Sequence, residues 1–390
     1  MSTLVAAASS AVRTGRPIRV MVVDDAVVVR SLLARWIGGE PDMRMVAALR
    51  NGSEAVAQIE RIGVDVVLLD IDMPELDGLA ALPQLLHKRP GLVVIMASML
   101  TRRSAEISLR ALALGAADYI AKPEVAAEPL SDLSPAGAFR RELIEKIRTL
   151  GRKGPPRGVA ARAVPRQPAS PPAPAAGVAG FETRTGPYRL RPFAAAVPRA
   201  LVIGSSTGGP QALTALIEKL PAVIDRVPVL ITQHMPATFT TVLAEHLSRA
   251  GGRGAHEAED GEPVLAGGIY VAPGGRHMRV TRAAEGVRIA LGDDPPISFC
   301  RPSVDALFAS AAAVWGPATL ALVLTGMGAD GAAGAAEIVA SGGSVIAQDE
   351  RSSVIWGMPR AVTQAGLCAA VLPLDQIAPR IGRLVAGSRS

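Results

Sequence analysis

The sequence predicts an α/β chain built of two parallel-sheet domains in series, and three observations carry that expectation. Short, mainly apolar runs alternate with helix-like stretches over two separate spans, 17–150 and 196–388. Between them, 151–195 is crowded with Pro, Ala, Gly and Arg and has no apolar period, which is the composition of a semi-extended linker. In each span the residues that carry chemistry stand immediately after an apolar run, the edge at which an open parallel sheet binds ligands. Strands separated by helices call for right-handed crossovers and hence parallel pairing.

Composition narrows the function classes. A chain of 390 residues holds two or three domains. Its apolar share is 49% with only 3% aromatics, which suits sheets and helices filled with Ala, Val and Leu. No apolar run approaches the ~20 residues of a membrane helix, so no integral membrane protein is expected. Residues 1–16 have no apolar core of a secretory signal and read as a disordered lead-in. Two cysteines, Cys300 and Cys368, support no disulfide framework and suit a reducing cytoplasm. The net charge is +6, but 151–195 alone holds eight Lys or Arg against the single acid Glu182. The excess belongs to the linker and not to a folded nucleic-acid-binding face. No helix-turn-helix or basic recognition helix follows the linker, so no nucleic-acid partner is expected.

In the first span, Ile18–Val23, apolar except for Arg19, is a strand candidate ending at Asp24-Asp25, and 27–37 is helix-like. Val64–Leu69 ends at Asp70, Leu92–Ala97 ends at Ser98, and Ala117–Ala121 ends at Lys122. Three carboxylates on one sheet edge repel each other unless a cation sits among them, and hard oxygen ligands suit Mg2+. A carboxylate beside Mg2+ can accept a phosphoryl group, whose oxygens Lys122 and the Ser98 hydroxyl can hold. One such Asp is usually a cap or a turn residue; five polar groups in register at strand ends are not.

In the second span, Gly204-Ser205-Ser206-Thr207-Gly208 follows the apolar run 200–203, and a helix begins near Pro210. Strand, sharp glycine turn and helix is the setting that presents a serine for nucleophilic attack. No Lys follows Gly208-Gly209, and G-x-G-x-x-G is absent, so the phosphate-cradle alternatives fail. His234 ends the run 229–232 and Asp330 follows 320–324, which supplies a base and an acid. The order Ser206, His234, Asp330 differs from the Ser, acid, His order of α/β-hydrolases, while triad geometry recurs on unrelated folds. His277 is a rival base, but His234 ends a strand in line with Ser206, and His277 is assigned to the cleft lining. Ser205 is the alternative nucleophile; the G-x-S-x-G centre favours Ser206. The glycine-rich run 325–331 lets the backbone bend near a substrate, and the Met327 N–H is the preferred oxyanion donor.

The first span resembles the receiver domain of bacterial response regulators. That resemblance implies a flavodoxin-like parallel sheet, Asp70 as phospho-acceptor, and Asp24, Asp25, Asp70 and the backbone carbonyl of Asp72 as Mg2+ ligands. It also implies Ser98 and Tyr119 as switch residues, with Lys122 as the partner lysine. Together with Thr232-Gln233-His234-Met235-Pro236, Ala272–Met278, Arg301-Pro302-Ser303-Val304-Asp305 and Thr325–Gly331, the chain resembles the chemotaxis protein-glutamate methylesterase family, of CheB type. It departs at Ala329, where the family often has Asn. The resemblance implies a doubly wound catalytic domain over 196–388 and a cytoplasmic, phosphorylation-activated serine hydrolase, with no cofactor for the ester chemistry. Its substrates would be glutamate γ-methyl esters, and certain glutamine carboxamides, on chemoreceptors; a chemotaxis histidine kinase would be the phosphodonor. Thr207 is expected to hydrogen-bond near His234. The competing readings are a receiver-controlled scaffold and a hydrolase in a non-chemotaxis chemosensory pathway.

Overall fold

The computed structural model describes residues 16–122, 135–152 and 188–388. The lead-in up to residue 15 and residues 153–187 of the linker lie outside the described residues.

The described residues group into two compact units, 16–95 with 135–152, and 96–122 with 188–388. The elements of the amino-terminal part are β1 (Ile18–Val23), α1 (Val27–Gly38), β2 (Met43–Leu49), α2 (Gly52–Gln58), β3 (Val66–Asp70), α3 (Gly78–Lys88), β4 (Val93–Ser98), α4 (Arg102–Ala113), β5 (Asp118–Ala121) and α5 (Pro135–Arg152). Their strands are ordered β2-β1-β3-β4-β5, with β1 parallel to both β2 and β3. This is the order of flavodoxin-like sheets. Strands β1 and β3 are buried along almost their whole length, because a parallel sheet covered on both faces takes continuous apolar runs. Strand β2 was not anticipated. It buries fully only its two ends, so no unbroken apolar run marks it.

In the second unit the catalytic part begins with β6 (Ala200–Ser205), α6 (Gly209–Ile217), the single turn α7 (Pro221–Ile224), β7 (Val229–Gln233) and α8 (Phe239–Gly251). It continues through β8 (Ala255–Glu257), β9 (Ile269–Val271), β10 (His277–Ala283), β11 (Gly286–Gly292) and α9 (Val304–Trp315). The remainder is β12 (Thr319–Val323), α10 (Ala332–Ala340), β13 (Ser344–Gln348), α11 (Met358–Gln364), β14 (Ala370–Leu372) and α12 (Leu374–Val385). Seven strands form one sheet in the order β14-β13-β12-β6-β7-β9-β8, with parallel ladders throughout. The chain enters at the central strand β6, winds out on one side, and returns to β12 on the other. That makes β6 the switch point where open sheets bind ligands. Strands β10 and β11 stand apart as an antiparallel hairpin. The core includes Val202, Leu230, Ala321, Val323, Val345 and Phe308, all shut off from solvent.

Close approach of α9 to the sheet edge is what positions the site. A Cβ on Gly204 would stand 2.3 Å from Val304 Cγ1, so glycine is needed where α9 starts against β6. Overpacking of this kind costs about 1–3 kcal/mol. Gly204→Ala is therefore expected to lower the thermal denaturation midpoint, and Gly204→Ala/Val304→Ala to lose less than the sum of the two single losses. Strictly additive losses would remove this contact as the reason for the glycine.

Candidate active site

The β6–β7 ladder matches Ser205 with Gln233, so Ser206 and His234 are the next residues out on adjacent strands. The His234 N–H donates to the Ser205 carbonyl at 3.1 Å, which keeps the two exits together. Strand β12 lies on the other side of β6 and leads into the loop that carries Asp330. All three residues expected at the carboxyl edge of the sheet are there.

The serine turn is held from several directions. The Ser206 N–H donates to the Thr325 carbonyl at 3.0 Å, and the Gly209 N–H donates to the Ser206 carbonyl at 2.7 Å. Gly208 sits at φ +76°, in the left-handed region that glycine takes without cost. The fully buried Gln233 ties both turns together. Its Nε2 donates to the Ser206 carbonyl at 2.9 Å and to the His234 carbonyl at 3.2 Å, while its Oε1 accepts from Ser205 Oγ at 2.7 Å. The Ser205 hydroxyl is thus buried and committed. The half-buried Ser206 hydroxyl makes no hydrogen bond among the described residues. That difference separates the two candidate nucleophiles on geometry.

Asp330 is 2% exposed and its carboxylate is fully cradled. Oδ1 accepts from Ser303 Oγ (2.8 Å), the Asp305 N–H (3.1 Å) and the Gly331 N–H (3.0 Å). Oδ2 accepts from the Val304 N–H (2.7 Å) and pairs with His234 Nε2 at 2.7 Å. Ser303 precedes α9, and Val304 and Asp305 are its first residues. The run Ser303-Val304-Asp305 is therefore a helix N-terminus whose amides and dipole receive an anion. Burial by itself raises the Asp330 pKa; the hydrogen bond to His234 and those from Val304 and Ser303 outweigh it and hold the group at about 2. Neighbouring Asp305 is pushed up to about 6, chiefly by burial and by the charge of Asp330.

His234 is also largely buried. Burial by itself would lower its pKa, but hydrogen bonds with Asp330 and Cys300 carry it up to about 10. With Nε2 committed to Asp330, Nδ1 is the nitrogen left for proton transfer. Its neighbour in this structure is Cys300 Sγ at 3.6 Å, a residue that sequence reasoning weighed only for disulfides. No spacing pattern points to it, because it arrives on a tight turn from a distant part of the chain.

Two expectations are corrected. His277 does not line the cleft: it is wholly buried, its Nδ1 accepting from the Ser303 N–H at 3.2 Å and its Nε2 donating to the Pro295 carbonyl at 3.2 Å. Both nitrogens are used in supporting the residue that caps the Asp330 cradle. Thr207 does not bond near His234. Its hydroxyl donates to Asp118 Oδ2 at 2.8 Å in a buried contact. Asp118 opens β5, and the next residue, Tyr119, stacks on Phe239 at 4.9 Å between centroids and 11° between planes. Helix α4 packs on α6 and α8, with Arg102 and Glu245 paired at 2.6 Å. Residues 96–122 are thereby part of the same unit as the serine turn.

The glycine-rich loop 325–331 also approaches Ser206. A Cβ on Gly326 would meet Ser206 Cβ at 2.9 Å and Ser206 N at 3.0 Å, so the backbone preceding Met327 abuts the serine turn.

In the amino-terminal part, Asp24, Asp25 and Asp70 each present a carboxylate oxygen, and these oxygens lie within 4.8 Å of one another. Such a hard-oxygen set fits Mg2+. Asp70 ends β3, where its Oδ1 accepts from the Ile71 N–H at 2.9 Å, and Asp72 is exposed two residues on. A Cβ on Gly78 would fall 1.9 Å from the Asp70 carbonyl oxygen, so the loop after β3 folds tightly back on its acidic end. Ser98 and Lys122 are both buried; the Lys122 N–H donates to the Ser98 carbonyl at 2.7 Å, and Ser108 Oγ donates to Ser98 Oγ at 3.1 Å. Among the described residues no helix is long and apolar enough to cross a membrane.

Comparison with known proteins identifies the family. Residues 201–381 match the CheB methylesterase family and residues 20–132 the response regulator receiver domain. A protein-glutamate methylesterase/protein-glutamine glutaminase of group 2 operon from Bradyrhizobium diazoefficiens is 57% identical over 98% of each chain. One of the same description from Rhodopseudomonas palustris is 58% identical over 96% of each. The crystal structure of the Thermotoga maritima CheB methylesterase catalytic domain, 39% identical, aligns over 49% of this chain and all of that one with a TM-score of 0.47. With such relatives along nearly its whole length, the chain belongs to the CheB methylesterase family, the protein-glutamate methylesterase/protein-glutamine glutaminases that carry a response-regulator receiver domain.

Proposed function

We propose that the chain hydrolyses glutamate γ-methyl esters, and deamidates certain glutamines, on a cytoplasmic chemoreceptor, using Ser206, His234 and Asp330. The observation that carries this reading is the buried Asp330–His234 pair one ladder step from a serine whose hydroxyl is uncommitted. His234 Nδ1 takes the Ser206 proton as Oγ attacks the ester carbonyl, and Asp330 stabilises the imidazolium through Nε2. The Met327 N–H receives the oxyanion. The proton on Nδ1 passes to the departing methoxide, methanol leaves, and water activated by Nδ1 releases glutamate.

Domain limits of 17–150, 151–195 and 196–388 fit this division of labour, and the protein acts in the cytoplasm. Asp70 is the phospho-acceptor for a chemotaxis histidine kinase, and Ser98, Tyr119 and Lys122 respond to its charge. Asp24, Asp25 and Asp70, with the Asp72 carbonyl, would hold Mg2+, which supplies neutralising charge for a phosphoryl group arriving at Asp70. The buried Thr207–Asp118 hydrogen bond and the Tyr119–Phe239 stack support inhibition by residues 96–122, relieved on phosphorylation. A two-state element biased by new charge is the ordinary form of such control.

Ser206→Ala is expected to lower kcat for methanol release by about 10⁴- to 10⁶-fold with the fold intact, while Ser205→Ala mainly lowers thermal stability. Equal losses of kcat would overturn the assignment of the nucleophile. The rate is expected to depend on pH as follows. Protonated Nδ1 is not a base, so a pKa raised from 6.5 to about 10 makes kcat/KM climb with pH across that window. A plateau from pH 7 upward would contradict the raised value. For control, Asp118→Ala is expected to raise basal esterase activity at least about fivefold, the low end of typical coupling energies. Asp70→Ala should leave full-length protein unresponsive to phosphodonor and Mg2+. Unchanged basal activity in Asp118→Ala would remove the inhibitory role of this contact.

A further inference from the structure

We propose that Phe299 is a specificity-determining residue: its ring, carried beside the Nδ1 face of His234, grips the polypeptide that flanks the ester glutamate and so favours protein substrates over small esters. The inference rests on the esterase reading above and names the part of the site that meets the substrate's own chain.

Phe299 is 93% exposed, against 68% for Val28, the next most exposed large apolar residue among those described. The chain has only six phenylalanines, and Phe239 and Phe308 are wholly buried. The core therefore gives no reason for a ring at this position, and neither does the turn. Ile297 and Cys300 exchange backbone hydrogen bonds at 3.1 and 2.8 Å, and Ser298 and Phe299 between them take φ values of +50° and +63°. A two-residue turn with both φ positive is the one that Asn-Gly or Asp-Gly closes easily, and a bulky side chain in the left-handed region is an outlier. Such strain is found where function requires the side chain. What is left for the ring is a contact with another molecule.

Its place says which molecule. Cys300 Sγ lies 3.6 Å from His234 Nδ1. Neighbouring Cα atoms are about 3.8 Å apart, so the Phe299 backbone stands within roughly 10 Å of the nitrogen assigned to proton transfer. A glutamate ester that reaches Ser206 belongs to a polypeptide. A single helix is about 10–12 Å across, and a few residues of extended chain span as much. A protein substrate seated at Ser206 thus overlies the turn and covers the ring, whereas a small ester has no chain with which to do so.

The ring stands on a firm mount. Arg301 Nη1 donates to the Asp293 and Asp294 carbonyls at 3.0 and 3.2 Å, the Gly275 N–H donates to the Arg301 carbonyl at 3.1 Å, and His277 Nε2 donates to the Pro295 carbonyl at 3.2 Å. A contact held in place beforehand loses little freedom on docking. The charges nearby are paired with each other, Arg276 with Asp293 at 3.0 Å and Arg279 with Asp294 at 2.7 Å. The turn therefore offers apolar area rather than net charge, and its grip should not depend on salt.

The test compares the full-length protein on two substrates at one pH: methanol release from membrane vesicles bearing a methylated chemoreceptor, and hydrolysis of p-nitrophenyl acetate. Phe299→Asn removes the ring but keeps a residue that tolerates the left-handed region, and Phe299→Tyr keeps the ring. Phe299→Asn is expected to raise KM for the receptor about tenfold, a typical loss on truncating an interface anchor. Its kcat should stay within about twofold of native, because the contact is made equally in ground and transition states. Phe299→Tyr should restore the native KM, the KM ratio should hold at low and high salt, and p-nitrophenyl acetate should be hydrolysed alike by all three proteins. A native KM in Phe299→Asn would overturn the contact, and a Phe299→Tyr protein as poor as Phe299→Asn would remove the ring as its cause. Equal slowing on both substrates would make the turn a support for His234 and not a grip on the substrate chain. These outcomes leave the esterase reading standing; a native protein that releases no methanol from the receptor would defeat that reading and this proposal together.

Discussion

The buried carboxylate of Asp330 is the constraint on which the rest of the site depends. A carboxylate shut off from water is costly unless its oxygens are satisfied, and here five donors from β7, α9 and its own loop converge on it. To bring the first amides of α9 there, that helix must start directly against the end of β6, which is why Gly204 and Gly331 face Val304 with no room for a side chain. Ser303 must reach the carboxylate, and buried His277 supports the Ser303 amide from below. The acid thereby fixes the helix, the helix fixes the loop, and His234 inherits its ring orientation from Nε2.

A second constraint ties the Ser206 turn to His234. Gln233 bonds both exits, and Gly209 has to be a glycine because a Cβ would stand 2.0 Å from Gln233 Oε1. On the neighbouring strand, Thr325 Oγ1 lies 2.9 Å from the Thr207 carbonyl while the Thr325 carbonyl receives the Ser206 amide. Ser206, His234 and Asp330 are thus set by hydrogen bonds among adjacent strand ends, and the buried Thr207 side chain is committed to Asp118.

Much of this was legible in the sequence because parallel strands covered on both faces are written as unbroken apolar runs. Polar residues at or just past the end of such a run lie at the carboxyl edge of the sheet, and this pointed to Asp24, Asp70, Ser206 and His234, with the G-x-S-x-G centre preferring Ser206 to Ser205. Strand β2 escaped because it is half-exposed along its middle. The β10–β11 hairpin escaped because Ala284-Glu285 joins its strands in place of the Asn-Gly or Asp-Gly that marks a tight turn. His277 was misplaced for a different reason: a glycine-rich loop signals a cleft, yet here it turns the histidine inward under α9. Cys300 and Asp118 were beyond reach because their partners are 66 and 89 residues away, and no local period records such contacts.

The Gln233 clamp has a consequence for the ageing of the molecule. Its amide nitrogen donates to two backbone carbonyls, so it works only as a carboxamide. Spontaneous hydrolysis to Glu would replace that donor with an oxygen that repels both carbonyls, and would put a negative charge 2.7 Å from Ser205 Oγ. The two strand ends would be driven apart by a change of one mass unit. Full burial withholds from Gln233 the water that such a reaction consumes.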